Sequence, residues 1–474
     1  MKRVFVTMLI VLVLLVGGLA GASYWAGVQA ERLYKDYLEQ GSQDPKITLT
    51  QDAYQRNLFS SEALTQLTLT GNQLDGNQAT QQVSLPLRQE IYHGPVPIGW
   101  WWQGHFTLQP MQAVVRTVLG PELAGRATLD MLFDGREPLT VVSYVALDGS
   151  ILNRITIPYL DVTERLNLSA LSFSGLRGDL QVAPLGRSVK GKLNAQALYA
   201  MLSKESGSTL RFINLHLTMD QRFGEFGFMV GDSVLGLETL ETTNLFGDVP
   251  GTLKLSDLVL HTNIKERESW IDSGISLAVK ELTWNQATVG SVQFQLSANH
   301  LDGATLAQLR QWNRQYSGND DDPAAINALL KVLPALLRDN PELVWEMRAN
   351  ALEGDLQANA KIVLQDPGPI EPRNPVQWLN ALANANAELS ISRALLEASF
   401  TNIVKAQLIA AAIREGEEPD DQELTDIAIL QTQRQLAQLH ATRWLLLEGE
   451  SYRTQARFEQ GRLFVNDTEI PYLF

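Results

Sequence analysis

The chain contains no cysteine. That absence excludes thiol nucleophiles, cysteine-ligated zinc, iron–sulfur clusters and disulfide staples. Histidine is scarce as well. His93, His105, His216, His261, His300 and His440 are the full set, with no H-x-x-x-H pair and no H-E-x-x-H. His93 and His105 could face one another across a hairpin. Two imidazoles without an acid cluster make a poor metal site, so neither a metal nor a cofactor is expected. The glycine signatures of phosphate binding are missing too, both G-x-x-x-x-G-K-[ST] and G-x-G-x-x-G between a strand and a helix. Gly231-Asp232-Ser233-Val234-Leu235-Gly236 misses the spacing of a nucleophile elbow by one residue. Basic charge is in deficit: 38 Lys and Arg stand against 53 Asp and Glu, a formal charge of −15. Setting aside Lys2 and Arg3 leaves 36 against 53, or −17. That sign repels nucleic acid at long range, and no nucleic-acid partner is expected.

What is present is a globular composition, 45% hydrophobic and 19% charged. Its 474 residues allow one large domain or two to three ordinary ones. Met1-Lys2-Arg3 opens a run without charge from Val4 to Ala30, almost wholly aliphatic between Val4 and Leu19. A helix rising about 1.5 Å per residue crosses a bilayer core of about 30 Å in roughly 20 residues, so residues 1–26 read as a membrane anchor. Lys2 and Arg3 on one side, and Tyr24 and Trp25 on the other, occupy the two interfaces. Ala20-Gly21-Ala22 before Ser23 also resembles a signal-peptide cleavage site, and that alternative stays open.

Residues 27–44 read as a helical stalk, with Leu33, Tyr34, Tyr37 and Leu38 at helical spacing. Beyond Pro45 the period becomes two. Ser291 to Ala298 alternates polar and apolar strictly, and Leu356 to Leu364 does so nearly as well. The fold predicted is α+β: an N-terminal transmembrane helix, then a large, mostly antiparallel β-rich ectodomain over 45–474 with helices concentrated in the C-terminal third. A short helix opens at Leu301-Asp302-Gly303-Ala304, and another at Asp322-Pro323. A helical hairpin over 392–447 is broken at Gly416-Glu417-Glu418-Pro419-Asp420-Asp421, within an acidic run Glu415–Glu423 that reads as a solvated loop, and a β-hairpin over 450–466 closes the chain. The proline-rich stretch 366–374 is the best internal boundary.

Several short motifs, taken in order, resemble the YdgA-like family. They are Tyr54-Gln55-Arg56-Asn57-Leu58-Phe59-Ser60-Ser61, His93-Gly94-Pro95-Val96-Pro97, Asn299-His300-Leu301-Asp302 and Gly461-Arg462-Leu463-Phe464-Val465-Asn466. The chain departs from that pattern at Asn57 and Asp467, both positions where glycine is usual. The resemblance implies a protein of the Gram-negative inner membrane, single-pass, with a β-rich periplasmic domain. It implies no activity.

The candidate chemistry is sparse. His93-Gly94-Pro95 reads as a tight turn, glycine supplying positive φ and proline a fixed one. Asn319 to Asp322 looks like a helix start, lacking the glycine and distal glutamate of a calcium loop. Trp100-Trp101-Trp102 is the most unusual feature, because three adjacent indoles cannot all enter one core. These three are the candidate ligand or partner contacts. The function expected is a non-enzymatic envelope scaffold that binds a lipid or other apolar ligand or an envelope protein. The alternative is a homodimer formed through the stalk or the late helices, and a hydrolase stands third.

Overall fold

The computed structural model describes residues 18, 20–36, 38, 47–71, 81–120, 122–123, 125–162, 170–203, 205–244, 251–316, 332–368, 379–415 and 421–471. The expected anchor falls mainly on residues 1–17 and 19, outside the described residues, as do Lys2, Arg3 and the Asn319–Asp322 run. Among the described residues no helix is long and apolar enough to cross a membrane.

The fold is mostly antiparallel β-sheet with helices, in two compact units that divide at Phe223/Gly224. The 366–374 stretch lies inside the second unit, and residues 369–378 are outside the described set.

The first unit begins with a helix over residues 20–36, α1. An antiparallel meander follows: β1 (Ile47–Arg56), β2 (Ser60–Gly71), β3 (Gln81–His93), β4 (Met111–Leu119), β5 (Thr140–Ala146) and β6 (Ile151–Ile157). The short strands β7 (Leu160–Val162) and β8 (Leu171–Phe173) pair with each other, while β6 pairs onward with β9 (Leu176–Val182). The 16-residue β10 (Ser188–Ser203) takes β9 along its first half and β8 along its second, and pairs with β11 (Ser208–Phe223) on its other edge. Two short helices, α2 (Ile98–Trp102) and α3 (Arg126–Leu132), sit in connections of this unit, so helices are not confined to the last third of the chain.

The expected stalk is helical through residue 36, and it lies on the sheet. Ser23 and Ala26 are buried, and the imidazole of His93 presses on the backbone at Gly27. Tyr34 and Leu38 then join Ala63, Ile91 and Ala113 in one apolar cluster. Small side chains at positions 23, 26, 27 and 30 fall on one helical face and let the helix approach closely. The helix runs antiparallel to β3: Gly27 meets His93, whereas Tyr34, about two turns on, bonds to Thr65, which in turn bonds to Gln89.

The second unit is a meander of long strands, β12 (Met229–Thr243), β13 (Thr252–Arg267), β14 (Trp270–Trp284) and β15 (Ala287–Asp302). A helix, α4 (Gly303–Tyr316), begins where the Asp302 side chain accepts the Thr305 N–H at 2.7 Å. A short helix over 332–337, α5, precedes β16 (Glu342–Ala351), β17 (Gly354–Leu364) and β18 (Leu382–Ser392). Helices α6 (Arg393–Glu415) and α7 (Asp421–Ala441) pack on each other, with residues 416–420 between them outside the described set. The chain closes with β19 (Leu446–Glu448), β20 (Ser451–Glu459), β21 (Arg462–Val465) and β22 (Thr468–Ile470), β20 pairing along β18.

Candidate functional site

Three places bring polar or apolar groups together in a way that could bear on function. The first lies beneath α1. His93 Nδ1 stands 3.3 Å from the Leu58 carbonyl, to which only a protonated nitrogen can bond, so Nε2 is left to accept the Ser61 hydroxyl at 2.8 Å. A serine hydroxyl on a histidine acceptor is the geometry of an activated nucleophile. Here it is sealed. Ser61 and His93 are wholly buried, and a methyl group built at Gly27 would stand 2.5 Å from His93 Cε1. Burial pushes the imidazole below its ordinary pKa and keeps it neutral, an effect that outweighs the carbonyl bond. The same ladder continues through Tyr34, Thr65 and Gln89, with Tyr34 Oη 2.6 Å from Thr65 Oγ1 and Thr65 donating to Gln89 at 2.7 Å. The arrangement fixes the helix on the sheet, and neither Ser61 nor His93 is open to solvent.

The His93-Gly94-Pro95 turn has a reason other than the one its sequence suggests. Gly94 is absent from the positive-φ residues, and a side chain there would collide with the Met111 carbonyl. Close approach to the backbone at Met111 and Gln112, not a left-handed conformation, requires the glycine.

The tryptophan run divides by depth. Trp100 is buried with Tyr92, Met111 and Val114, and His105 stacks on its indole at 4.2 Å. Trp101 donates its indole N–H to the Thr107 carbonyl at 2.8 Å. Trp102 points outward and meets Phe59 edge-on at 5.8 Å. Tyr24 and Trp25 are both exposed, the former beneath the Arg56 guanidinium.

In the second unit His261 bonds to Asp232 at 3.0 Å, and Asn263 donates to the same carboxylate at 2.6 Å. These bonds hold Asp232 below the usual carboxylate range. Ser233 belongs to the opposite face of the strand, so the trio of residue types does not converge. No group of three or more acidic or histidine side chains is placed to hold a metal among the described residues.

The third place is the sheet of the second unit itself. Leu260, Leu277, Phe294, Met347, Ala358 and Leu389 are successive register partners across β13 to β18. Leu258, Val279, Val292, Ala349, Leu356 and Ile391 form the next row, and Ile275, Leu296 and Trp345 begin a third on the other side. The opposite face is polar, as the row His261, Ser276, Gln295, Glu346, Asn359 and Glu388 illustrates. At the β18–β20 end the helices cover the apolar face: Ile391, Leu396, Leu436, Leu445 and Tyr452 form a buried cluster. Toward β14 and β15 that cover is thinner among the described residues. Ile275 and Leu296, adjacent partners, are both exposed, and Leu277, Phe294, Trp345 and Met347 are half-buried. An apolar face several strands wide and incompletely covered among the described residues has the character of a surface that could take a ligand or partner. Its signal in the sequence was the alternation itself; which strands would stand side by side was not readable.

The model of a bacterial protein family of unknown function, DUF945, matches residues 1–472, and the chain belongs to that family. No curated protein and no solved structure matches it.

Proposed function

We propose that this chain is an inner-membrane-anchored protein of the bacterial periplasm, without a catalytic centre, whose second unit holds an extended apolar ligand, the acyl chains of a lipid. The observation that carries this reading is the half-covered face around Ile275, Phe294, Leu296 and Trp345, backed by a polar opposite face. The anchor rests on the basic start at Lys2-Arg3 and the apolar run behind it. Because Ser23 is already buried on the sheet, the span is left with Val4–Ala22, about 28 Å at about 1.5 Å per residue.

A photo-crosslinking amino acid placed at Phe294 or Leu296 in cells tests it, with Gln293 and Gln295 on the other face as controls. Lipid adducts at 294 and 296 alone are the expected result. Equal adducts on both faces, or none, would overturn the reading.

A second reading, a homodimer through α6 and α7, is favoured by the exposed side chains of Ile403 and Leu430 on those helices. Light scattering on the full chain in detergent separates it from the first: a mass of two chains that falls to one in the Ile403→Glu, Leu430→Glu variant supports the dimer.

A further inference from the structure

The direction of α1 assigns an up and a down to the first unit. Because α1 runs antiparallel to β3, the end of the sheet reached by His93 is the end from which the chain leads back toward residues 4–22. The register places five features at that end: the turn 57–59 between β1 and β2, the connection 94–110 between β3 and β4, the turn 147–150 between β5 and β6, the turn 183–187 between β9 and β10, and the last residue of β11.

Those loops are tipped with large apolar side chains. Among the described residues, the six most exposed large hydrophobics of the unit are Leu185 (87%), Leu108 (76%), Trp102 (74%), Phe106 (70%), Trp25 (64%) and Leu147 (56%), and all belong to this end. At the opposite end the most exposed among the described residues is Leu202, at 52%. The loops are neighbours in space. Phe59 meets Trp102 across two of them, while Thr107, Ala146 and Pro184 from three of them line one groove of about 550 Å³.

Charge is sparse at this end, where Asp148 and Arg187 are the only charged residues in the loops 57–59, 94–110, 147–150 and 183–187. The seventeen residues from Gly94 to Pro110 contain no Asp, Glu, Lys or Arg. The connection between β4 and β5 at the other end carries six, namely Glu122, Arg126, Asp130, Asp134, Arg136 and Glu137. Exposed Trp, Phe and Leu clustered on loops this poor in charge mark a surface suited to an apolar environment.

We propose that this end of the first unit is a membrane-insertion surface. Trp102, Phe106, Leu108, Leu147 and Leu185 enter the outer-facing leaflet of the bilayer that residues 4–22 cross, with Trp25 at the interface beside them. The unit is therefore seated on the lipid, not held off it by a tether. Arg154 and Lys190, which line the groove, are already paired with Asp179 and Asp220, so apolar insertion rather than headgroup charge drives the contact. The proposal rests on the anchored reading of the N-terminus, and the test separates the two.

The natural chain lacks cysteine, so a single introduced thiol gives one labelled position. Full-length Phe106→Cys, Leu185→Cys, Met131→Cys and Val11→Cys variants carry an environment-sensitive fluorophore in vesicles of phosphatidylethanolamine and phosphatidylglycerol, with and without nitroxide on the acyl chains. The expected result is a blue shift and nitroxide quenching at 106 and 185, with neither at 131. Quenching at 11 with a water-like, unquenched signal at 106 and 185 would overturn the insertion surface and leave the anchor standing. No quenching at 11 would overturn the anchor, and quenching at 106 and 185 would then still support a lipid contact. A blue shift at 106 without quenching would assign the surface to a protein and overturn the proposal.

Discussion

Gly27 lies flat against the imidazole of His93, close enough that one methyl group on the glycine would stand 2.5 Å from His93 Cε1. The contact joins the first helix to the end of the third strand, and both partners depend on it. The helix backbone there has no room for a side chain, and the buried imidazole cannot retreat, since both of its nitrogens are engaged. Gly27→Val is therefore expected to cost about 1–3 kcal/mol through overpacking. Denaturant unfolding of the full chain checks this; an unchanged midpoint would mean the helix is not seated as described.

His93 also predicts a pH dependence. Burial lowers its folded pKa below the ordinary value, whereas the unfolded chain titrates near about 6.5. The unfolded state therefore binds the proton first as pH falls, and stability present above about pH 6.5 declines below it. Unfolding midpoints measured from pH 8 to 5 should fall in the natural chain. The acid-side slope should shrink in His93→Gln, which cannot take up a proton; an identical slope in both would remove His93 as the cause.

Trp100 and Trp102 are neighbours in sequence and opposites in environment. Trp100→Ala empties a packed site and should cost about 3–5 kcal/mol. Trp102→Ala, on the exposed side, should stay within about 0.5 kcal/mol. Comparable losses at both would contradict the division of the tryptophan run.

Helix α7 allows the same comparison in the second unit. Leu436 is buried with Leu396, Leu445 and Tyr452, so Leu436→Ala should cost about 2–5 kcal/mol. Leu430 is exposed on the same helix, and its alanine variant should fall within about 0.5 kcal/mol in the same assay.

Asn466 ends β21 in a left-handed backbone, with φ of 46°. Its amide accepts the Gln455 N–H at 2.8 Å and donates to the Arg443 carbonyl at 2.7 Å, tying the closing hairpin to the end of α7. Asn466→Ala should cost about 1–3 kcal/mol, from the unmet backbone groups and the strained φ. A cost near zero would show that the hairpin closes without it.

Much of this was legible beforehand, and unevenly. Strict alternation over Ser291–Ala298 is β15, and the Gly303 start is α4, because period and capping are local properties that a strand or helix must satisfy by itself. Pairing across distance was not legible. Nothing in Leu176–Val182 announces that it joins Ile151–Ile157 past two intervening strands. The small residues around Ser23 carry a packing role that the sequence did not announce. They resemble a cleavage site, and in the folded chain Ser23, Ala26 and Gly27 form the flush face of a helix. The sealed pair of Ser61 and His93 was missed for a related reason. The two are 32 positions apart, and only the register of β2 against β3 brings them together.

The ladder of hydrogen bonds beneath α1 has a mechanical consequence. A helix gripped at one height by His93 against Gly27, and at another by Thr65 on Tyr34, can neither roll nor slide. A shift of one residue, about 1.5 Å, would part Tyr34 from Thr65 and drive a side chain into the imidazole. Any torque or tension on α1 would therefore be borne by β2 and β3, to which the helix is keyed at two heights.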